Sequence, residues 1–474
     1  MTDVADLHWM LWGYWHMAAH LRAVSGGKPF TNSEFWWTMW PSDEKLKNWY
    51  GEAVARESAR YRSSMNEELH WGSGSDQMWN YFINGCNGFW WFHWMGGGYD
   101  CGMVQPNGLL RPSVARIASL IRESSLLSPL IRSTEMGSEI AVLLPESRQP
   151  VMGTNLFSAP VLALQTLNYQ HDVLTEEQVA AGALNRYKYF FLTQGEVLSE
   201  KVSSAIIGWV KDGGMLIGTG RIGFFDELGK DYSAVSDAFH VKYTGPREKK
   251  GVVALPGTAP LPLEQLRHPS PGQHNQRAFL KACADNDAPW NLHLLGDGVK
   301  TAGRYDDGEP AVVEIRLGKG KAILCGVPIE VMIWEHALAG QLDGESFNSA
   351  SIGFLRSLFD IAGIRPAVSV DRRGELSSNS VQLFVRRRPG DEKRLWVFLV
   401  NIGHPIANIG GGCWYALPYV AEPQKVKVAL SFHVAKVREL LRDVNVPFSS
   451  KDGTGEIEMI LEPHRIYALE IIRN

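Results

Sequence analysis

The spacing of apolar residues changes along the chain, and the changes divide it. Residues 3–24 carry apolar and aromatic residues at helical spacing and end in "SGGKP", a glycine stop, so a helix is expected there. "KPFTNSE" (28–34) then reads as a short strand ending at Glu34. "PSDEKLKNWYGEAVARESARYRSSMNEEL" (41–69) opens on Pro-Ser-Asp and is rich in Glu, Lys, Arg and Ala, the composition of a long solvated helix. "DQMWNYFING" (76–85) predicts a helix closed by Gly85, and "GFWWFHWM" (88–95) a fully buried strand. A glycine-rich loop, "GGGYDCGMVQPNG", and the helix "RPSVARIASLIRESSLL" (111–127) follow. This order is that of alternating β/α units.

A second alternation begins at "SEIAVLLP" (138–145). The helix "APVLALQTLNYQ", the strand "YKYFFLTQ" (187–194), the helix "SEKVSSAIIGWVKDGG" and the strand "MLIGTG" follow, a doubly wound α/β pattern. Residues 229–311 are rich in Pro, Gly and charge and read as an excursion; the pattern returns at "GKGKAILCGVP" (318–328) and closes with "SASIGFLRSLFDIAG". From about residue 366 the period becomes two, in "SVQLFVRRR", "RLWVFLVNIG", "KVKVALSFHV", "GEIEMILEP" and "RIYALEIIRN", which predicts a small antiparallel β domain. The expected domains are therefore 1–132, 136–365 and 366–474.

Composition narrows the function classes. The chain has 474 residues, 21% charged and 45% hydrophobic, with a net charge of −4, so nothing calls for nucleic acid or an anionic membrane. Five cysteines, Cys86, Cys101, Cys283, Cys325 and Cys413, are odd in number and lack CxxC spacing, which argues against a disulfide framework and a zinc site. No apolar run is long enough to span a bilayer, and "MTDVADLHWM" has acids where a signal peptide has a basic region. A cytoplasmic location is expected. Of the seventeen tryptophans, twelve fall within residues 1–94. Indole faces pack against the C–H faces of pyranose rings, but such a cluster serves equally as a buried core.

One carboxylate, Glu34, stands at the end of a short apolar run beside three of those tryptophans, Trp36, Trp37 and Trp40. In a (β/α)8 barrel the catalytic groups sit at the carboxyl ends of strands, where the pattern puts Glu34. "GFWWFHWM" would be the neighbouring strand, with His93 and Trp94 at its mouth; Trp36 and Trp37 directly follow Glu34. Asn32 has the strand parity of Glu34, which points its amide to the barrel interior. A retaining glycosidase needs such a carboxylate as nucleophile and a second carboxyl about 5–5.5 Å away as acid/base. A lone Glu at a strand end is also an ordinary surface acid, and a lone His on an aromatic strand is more often a core residue.

From Gly27 to about Leu127 the chain resembles the last two β/α units of a glycoside hydrolase family 42 β-galactosidase. "KPFTNSE" matches the strand whose terminal Glu is the family's nucleophile, and "NGCNGFWWFHW" resembles its glycine-led strand ending in Phe-x-Trp. The segment from "SEIAVLLPES" to "MLIGTG" is similar to the family's middle domain, a flavodoxin-like unit of class I amidotransferase type used for trimerisation. "RLWVFLVNIG" and "EPHRIYALEI" resemble its small C-terminal β-sandwich. The resemblance implies a partial barrel made of its last strands, a flavodoxin-like domain and a β domain. It further implies a retaining glycosidase acting on terminal β-linked sugars of a glycoside or oligosaccharide, no metal or organic cofactor, and a homotrimer. In that frame Glu34 is the nucleophile, Trp94 stacks on the sugar, and His93 and Asp100 contact hydroxyls.

The departures are specific. The family's acid/base follows an earlier strand, typically in an Asn-Glu pair, so the chain reads as a truncated product with little activity of its own. The Asn66–Glu67 pair lies at the end of a charged helix and reads as solvated. Met95 stands where an Arg usually follows the tryptophan, and Asp100 where the family carries a sugar-contacting Glu. Glutamine hydrolysis needs a nucleophilic Cys on a strand–helix turn. Residues 137–282 contain none, and Thr193 and Gln194 stand near that point. "GTGRIG" (218–223) lacks the spacing of a dinucleotide loop. The competing class is a non-catalytic carbohydrate-binding or oligomeric assembly protein.

Overall fold

A computed structural model describes residues 5–7, 14–36, 75–76, 78–92, 103–104, 108–110, 113–152, 158–248, 250–263, 288–296, 298–333, 349–371, 381–401 and 423–474. The chain forms two compact units, Ser138–Arg365 and the discontinuous pair Met1–Gly137 with Pro366–Asn474.

Ser138–Arg365 is built on a nine-stranded sheet. Strands Ile140–Leu144, His171–Thr175, Tyr189–Thr193, Met215–Thr219 and Gly320–Cys325 are parallel. Counted in chain order they lie side by side as 2-1-3-4-5, a flavodoxin order, in keeping with the doubly wound pattern expected from the alternation. Such strands are buried on both faces, which is why "IAVLL" and "YFFLT" are apolar without alternation. Ile140, Val142, Phe191, Ile217 and Ile323 enter one core with Phe354, Leu355, Leu358 and Phe359 of helix Ser349–Ile361. Ala141, Leu143, Phe190, Leu192 and Leu324 enter the other with Val202, Ile206, Trp209 and Val210 of helix Glu200–Lys211. Ser199 starts that helix, its Oγ accepting the Val202 N–H at 3.3 Å. The proline- and glycine-rich excursion extends the sheet: Val252–Ala254, Leu261–Pro262, Val299–Tyr305 and Pro310–Leu317 join it antiparallel beside Gly320–Cys325.

In the other unit, Ala5–Leu7, Phe30–Trp36 and Gly88–Phe92 make a three-stranded parallel sheet. No closed barrel occurs among the described residues. Of the helix expected over 3–24, Tyr14–Val24 is helical, whereas Ala5–Leu7 is a strand. Ala5–Leu7 pairs instead with Phe30–Asn32, so tertiary pairing overrides the helical spacing there. Ala18 and Leu21 of helix Tyr14–Val24 pack against Phe30, Tyr81 and Cys86. The C-terminal part forms one six-stranded and one four-stranded antiparallel sheet, with Val381, Leu383, Val385, Leu395, Val397, Val426, Val428 and Leu469 in a shared core. These sheets are the antiparallel β domain expected from period two. The N-terminal segment enters the six-stranded sheet directly, since Glu135–Met136 pairs with Arg386–Arg387.

Candidate functional site

Strand Phe30–Trp36 carries Asn32, Glu34 and Trp36 and runs parallel between Ala5–Leu7 and Gly88–Phe92. Thr31 pairs with Gly88 and Asn32 with Phe89, whereas Phe35 pairs with Trp91 and Trp36 with Phe92. The register therefore slips by one residue between Asn32 and Phe35, and Glu34 lies in that bulge. The strand does not end at Glu34, as the pattern implied, but continues through Trp36. A bulge inserts one residue, bends the strand and re-aims what it carries, a device that recurs beside active sites. It also interrupts alternation, so the shared parity of Asn32 and Glu34 no longer fixes a common face. Asn32 itself is fully buried. For Glu34 and Trp36 only the backbone is described; Trp37, His93, Trp94 and Asp100 lie outside the described residues.

What positions Gly88–Phe92 is clear. Residues 78–83 are helical and bury Trp79, Tyr81 and Ile83 completely. Gly85, at φ +97°, ends the helix, the Cys86 N–H donates to the Tyr81 carbonyl, and the Asn87 N–H donates to the Phe30 carbonyl at 2.8 Å. Four residues, 84–87, thus carry the chain from helix to strand beside Phe30–Trp36. Arg22 Nη1 donates to Asn84 Oδ1 at 2.6 Å, tying this corner to helix Tyr14–Val24.

Both ends of the short helix are held by the C-terminal β-sandwich. At the start, Asp76 Oδ2 meets His464 Nδ1 at 2.9 Å, and Ser75 Oγ donates to the His464 carbonyl at 2.9 Å. At the end, Arg386 donates from Nη1 to the Ile83 carbonyl. The same guanidinium reaches the Ile131 carbonyl at 2.9 Å, Thr134 Oγ1 at 2.8 Å and the Thr134 carbonyl, capping helix Ser113–Arg132 as well. Sequence reasoning missed His464, Asp76 and Arg386. The partners are separated by 388 residues for His464–Asp76 and 303 for Arg386–Ile83, and local pattern carries no trace of such pairs.

The carboxyl edge of the flavodoxin-like sheet is the other place where chemistry would be sought. Gln194 directly follows strand Tyr189–Thr193 and adopts φ +52°, the strained turn a nucleophile would occupy, but it offers only an amide. Beside it Glu196 is pinned by Arg148, Nε to Oε2 at 2.8 Å and Nη2 to Oε1 at 3.4 Å, both side chains buried. Thr219 Oγ1 donates to the buried Glu330 at 2.7 Å. Cys325 ends the last parallel strand, and burial pushes its thiol up to about 12, with Glu330 adding to the shift against a hydrogen bond from Val327. It is a protonated core thiol, not a nucleophile. After strand Met215–Thr219 the next helix starts at Ala234, so "GTGRIG" opens no helix and lacks the geometry of a dinucleotide loop. Among the described residues no helix is long and apolar enough to cross a membrane, and no group of three His, Cys, Asp or Glu gathers to hold a metal.

No family profile matches the sequence, and no curated protein matches it. Solved structures do. A GH42 β-galactosidase from G. stearothermophilus superposes with a TM-score of 0.61 over 98% of this chain at 17% identity. The chain has the GH42-like fold. It spans 58% of that structure's length. The β-galactosidase from Bacillus circulans sp. alkalophilus gives a TM-score of 0.60 at 13% identity, covering 99% of this chain and 60% of that one. The α-L-fucosidase isoenzyme 2 of Paenibacillus thiaminolyticus gives 0.61 at 13% identity, covering 100% and 66%. The GH42-like portion seen here is a partial barrel, a flavodoxin-like domain and a β domain, the architecture the resemblance implied.

Proposed function

We propose that this chain is the C-terminal portion of a retaining glycoside hydrolase of β-galactosidase type, with Glu34 as nucleophile. The observation that carries the reading is the place of Glu34, in a bulge of a parallel strand flanked by the aromatic strand Gly88–Phe92. In the proposed reaction the Glu34 carboxylate attacks the anomeric carbon and the bond to the leaving oxygen breaks. A carboxylic acid protonates that oxygen and afterwards activates the water that releases the sugar. That second carboxyl is assigned to no residue of this chain; the resemblance puts it after an earlier barrel strand. Trp94, Trp36 and Trp37 would supply stacking surface, with Asn32, His93 and Asp100 as hydroxyl contacts. The GH42 β-galactosidases and the α-L-fucosidase among the matching structures favour a glycoside substrate and leave the sugar open.

The flavodoxin-like domain serves assembly in this reading, as a homotrimer in the cytoplasm. Its sequence from 137 to 282 holds no cysteine for amide hydrolysis, and Glu196 is neutralised by Arg148.

Aryl glycosides with activated leaving groups test the proposal, because a good leaving group needs no acid. The expected result is slow phenolate release from galactosides, arabinosides or fucosides that falls on the order of 10³-fold or more in Glu34→Gln. Natural glycosides should be slower by about 10²–10⁴-fold for want of a general acid. Release that Glu34→Gln leaves unchanged contradicts the assignment. Sugar binding without turnover, equal in wild type and Glu34→Gln, would favour the carbohydrate-binding alternative.

A further inference from the structure

Helix 78–83 links the β-sandwich to the strand beside Glu34, and the sandwich grips it at both ends. The two grips differ in kind. Arg386 is cationic at every accessible pH and its donors go to backbone carbonyls and a threonine hydroxyl, so its hold does not titrate. His464 meets a carboxylate, so its hold does.

We propose that His464 is a positioning residue for the candidate site: by holding Asp76 it fixes helix 78–83, and with it strand Gly88–Phe92, through a contact whose strength depends on its own proton. The inference rests on reading that strand as part of the site, but its physical content is independent of turnover.

Three observations support it. His464 stands in the turn between strands Thr454–Leu461 and Ile466–Arg473 at φ +56°, a left-handed backbone that histidine, asparagine and aspartate adopt more readily than other residues with a side chain. Its backbone is engaged on both sides, the N–H donating to the Asn401 carbonyl at 2.7 Å and the carbonyl accepting from Ser75. Its imidazole is only 11% exposed and Asp76 1%, so water screens the contact weakly. Among the described residues, the charged groups facing the ring are Asp76 at the head of helix 78–83 and Arg116 on helix Ser113–Arg132.

The sign follows from those neighbours. Burial disfavours the imidazolium, but the Asp76 carboxylate, by its charge and its hydrogen bond, outweighs burial and the opposing Arg116, and holds the ring above its ordinary value. A histidine raised in the folded state contributes fully below its unfolded value and loses that contribution as pH rises through the folded one. The Nδ1–H can still donate to Asp76 after the charge has gone. Alkaline pH therefore weakens the contact without abolishing it, while the Arg386 end is unaffected.

Hydrogen exchange read by mass spectrometry, corrected for intrinsic rates, tests this on the full chain at pH 6 and pH 9. In the wild type, protection of residues 78–92 should fall by about tenfold or more between the two, relative to strand Arg394–Asn401, the range expected when a charge-assisted hydrogen bond becomes neutral. His464→Asn, which tolerates the left-handed backbone, and Asp76→Asn should show low protection of 78–92 at both pH values. A wild type without this pH dependence overturns the proposal. So do variants that lose protection equally across Arg394–Asn401, which would mark general destabilisation. Should either variant fail to fold, the titration of His464 in the ¹³C-histidine-labelled wild type decides: a midpoint at or below that of an ordinary histidine contradicts the proposal. Failure of every aryl glycoside assay alongside the expected exchange pattern would remove the glycosidase reading and leave His464 holding the strand.

Discussion

Glu34 and Glu196 both stand near the carboxyl ends of parallel strands, yet their surroundings give them opposite prospects. Glu196 has both oxygens engaged by one buried guanidinium, so it is a structural anion. Truncating its partner should be costly: Arg148→Ala leaves a buried carboxylate unpaired and is expected to destabilise unit Ser138–Arg365 by about 3–5 kcal/mol in denaturant titrations. The pair replacement Arg148→Met with Glu196→Leu should recover most of that loss, since a well-packed apolar pair often equals a buried ion pair. Cys325 makes a kinetic prediction of the same kind. With its thiol at about 12 it is protonated at pH 8, so iodoacetamide should leave it unmodified in the native protein and alkylate it once urea exposes it. Rapid native labelling of Cys325 would show that the end of strand Gly320–Cys325 opens to solvent.

At the scale of elements, what the sequence showed and what it hid have separate physical causes. The flavodoxin-like strands were legible because burial on both faces demands continuous apolar runs, as in "IAVLL" and "YFFLT". Helix Glu200–Lys211 was legible because Ser199 and Lys211 mark its ends and its apolar positions recur every three or four residues. Ser199→Ala is accordingly expected to cost about 1 kcal/mol, read as a shift in the urea midpoint at constant slope. Strand Ala5–Leu7 was hidden in a helical pattern, because its pairing with Phe30–Asn32 is decided by distant residues. The slip at Glu34 was hidden as well. A bulge adds one residue to an otherwise regular strand, and "TNSEF" carries no glycine to mark it. The same holds for the clamp on helix 78–83, whose members His464 and Arg386 lie hundreds of residues from their partners Asp76 and Ile83.

At the scale of the molecule, the two units differ in continuity. Ser138–Arg365 is one uninterrupted segment with its own two cores, whereas the other unit joins chain ends through Glu135–Met136, Arg386 and His464. Residues 138–365 expressed alone should therefore fold and unfold cooperatively, while 1–137 alone should not acquire a protected sheet; circular dichroism with urea titration distinguishes the two. In the proposed reading the full chain is a trimer, which light scattering coupled to size exclusion tests directly. The central claim, that a GH42-like fold presents Glu34 to the anomeric carbon of a sugar, is tested most directly by covalent trapping. Intact protein incubated with an activated 2-deoxy-2-fluoroglycoside should gain one sugar mass, and peptide mapping should place it on Glu34, with none gained in Glu34→Gln. A sugar adduct on any other carboxylate, or one that survives Glu34→Gln, would contradict the account.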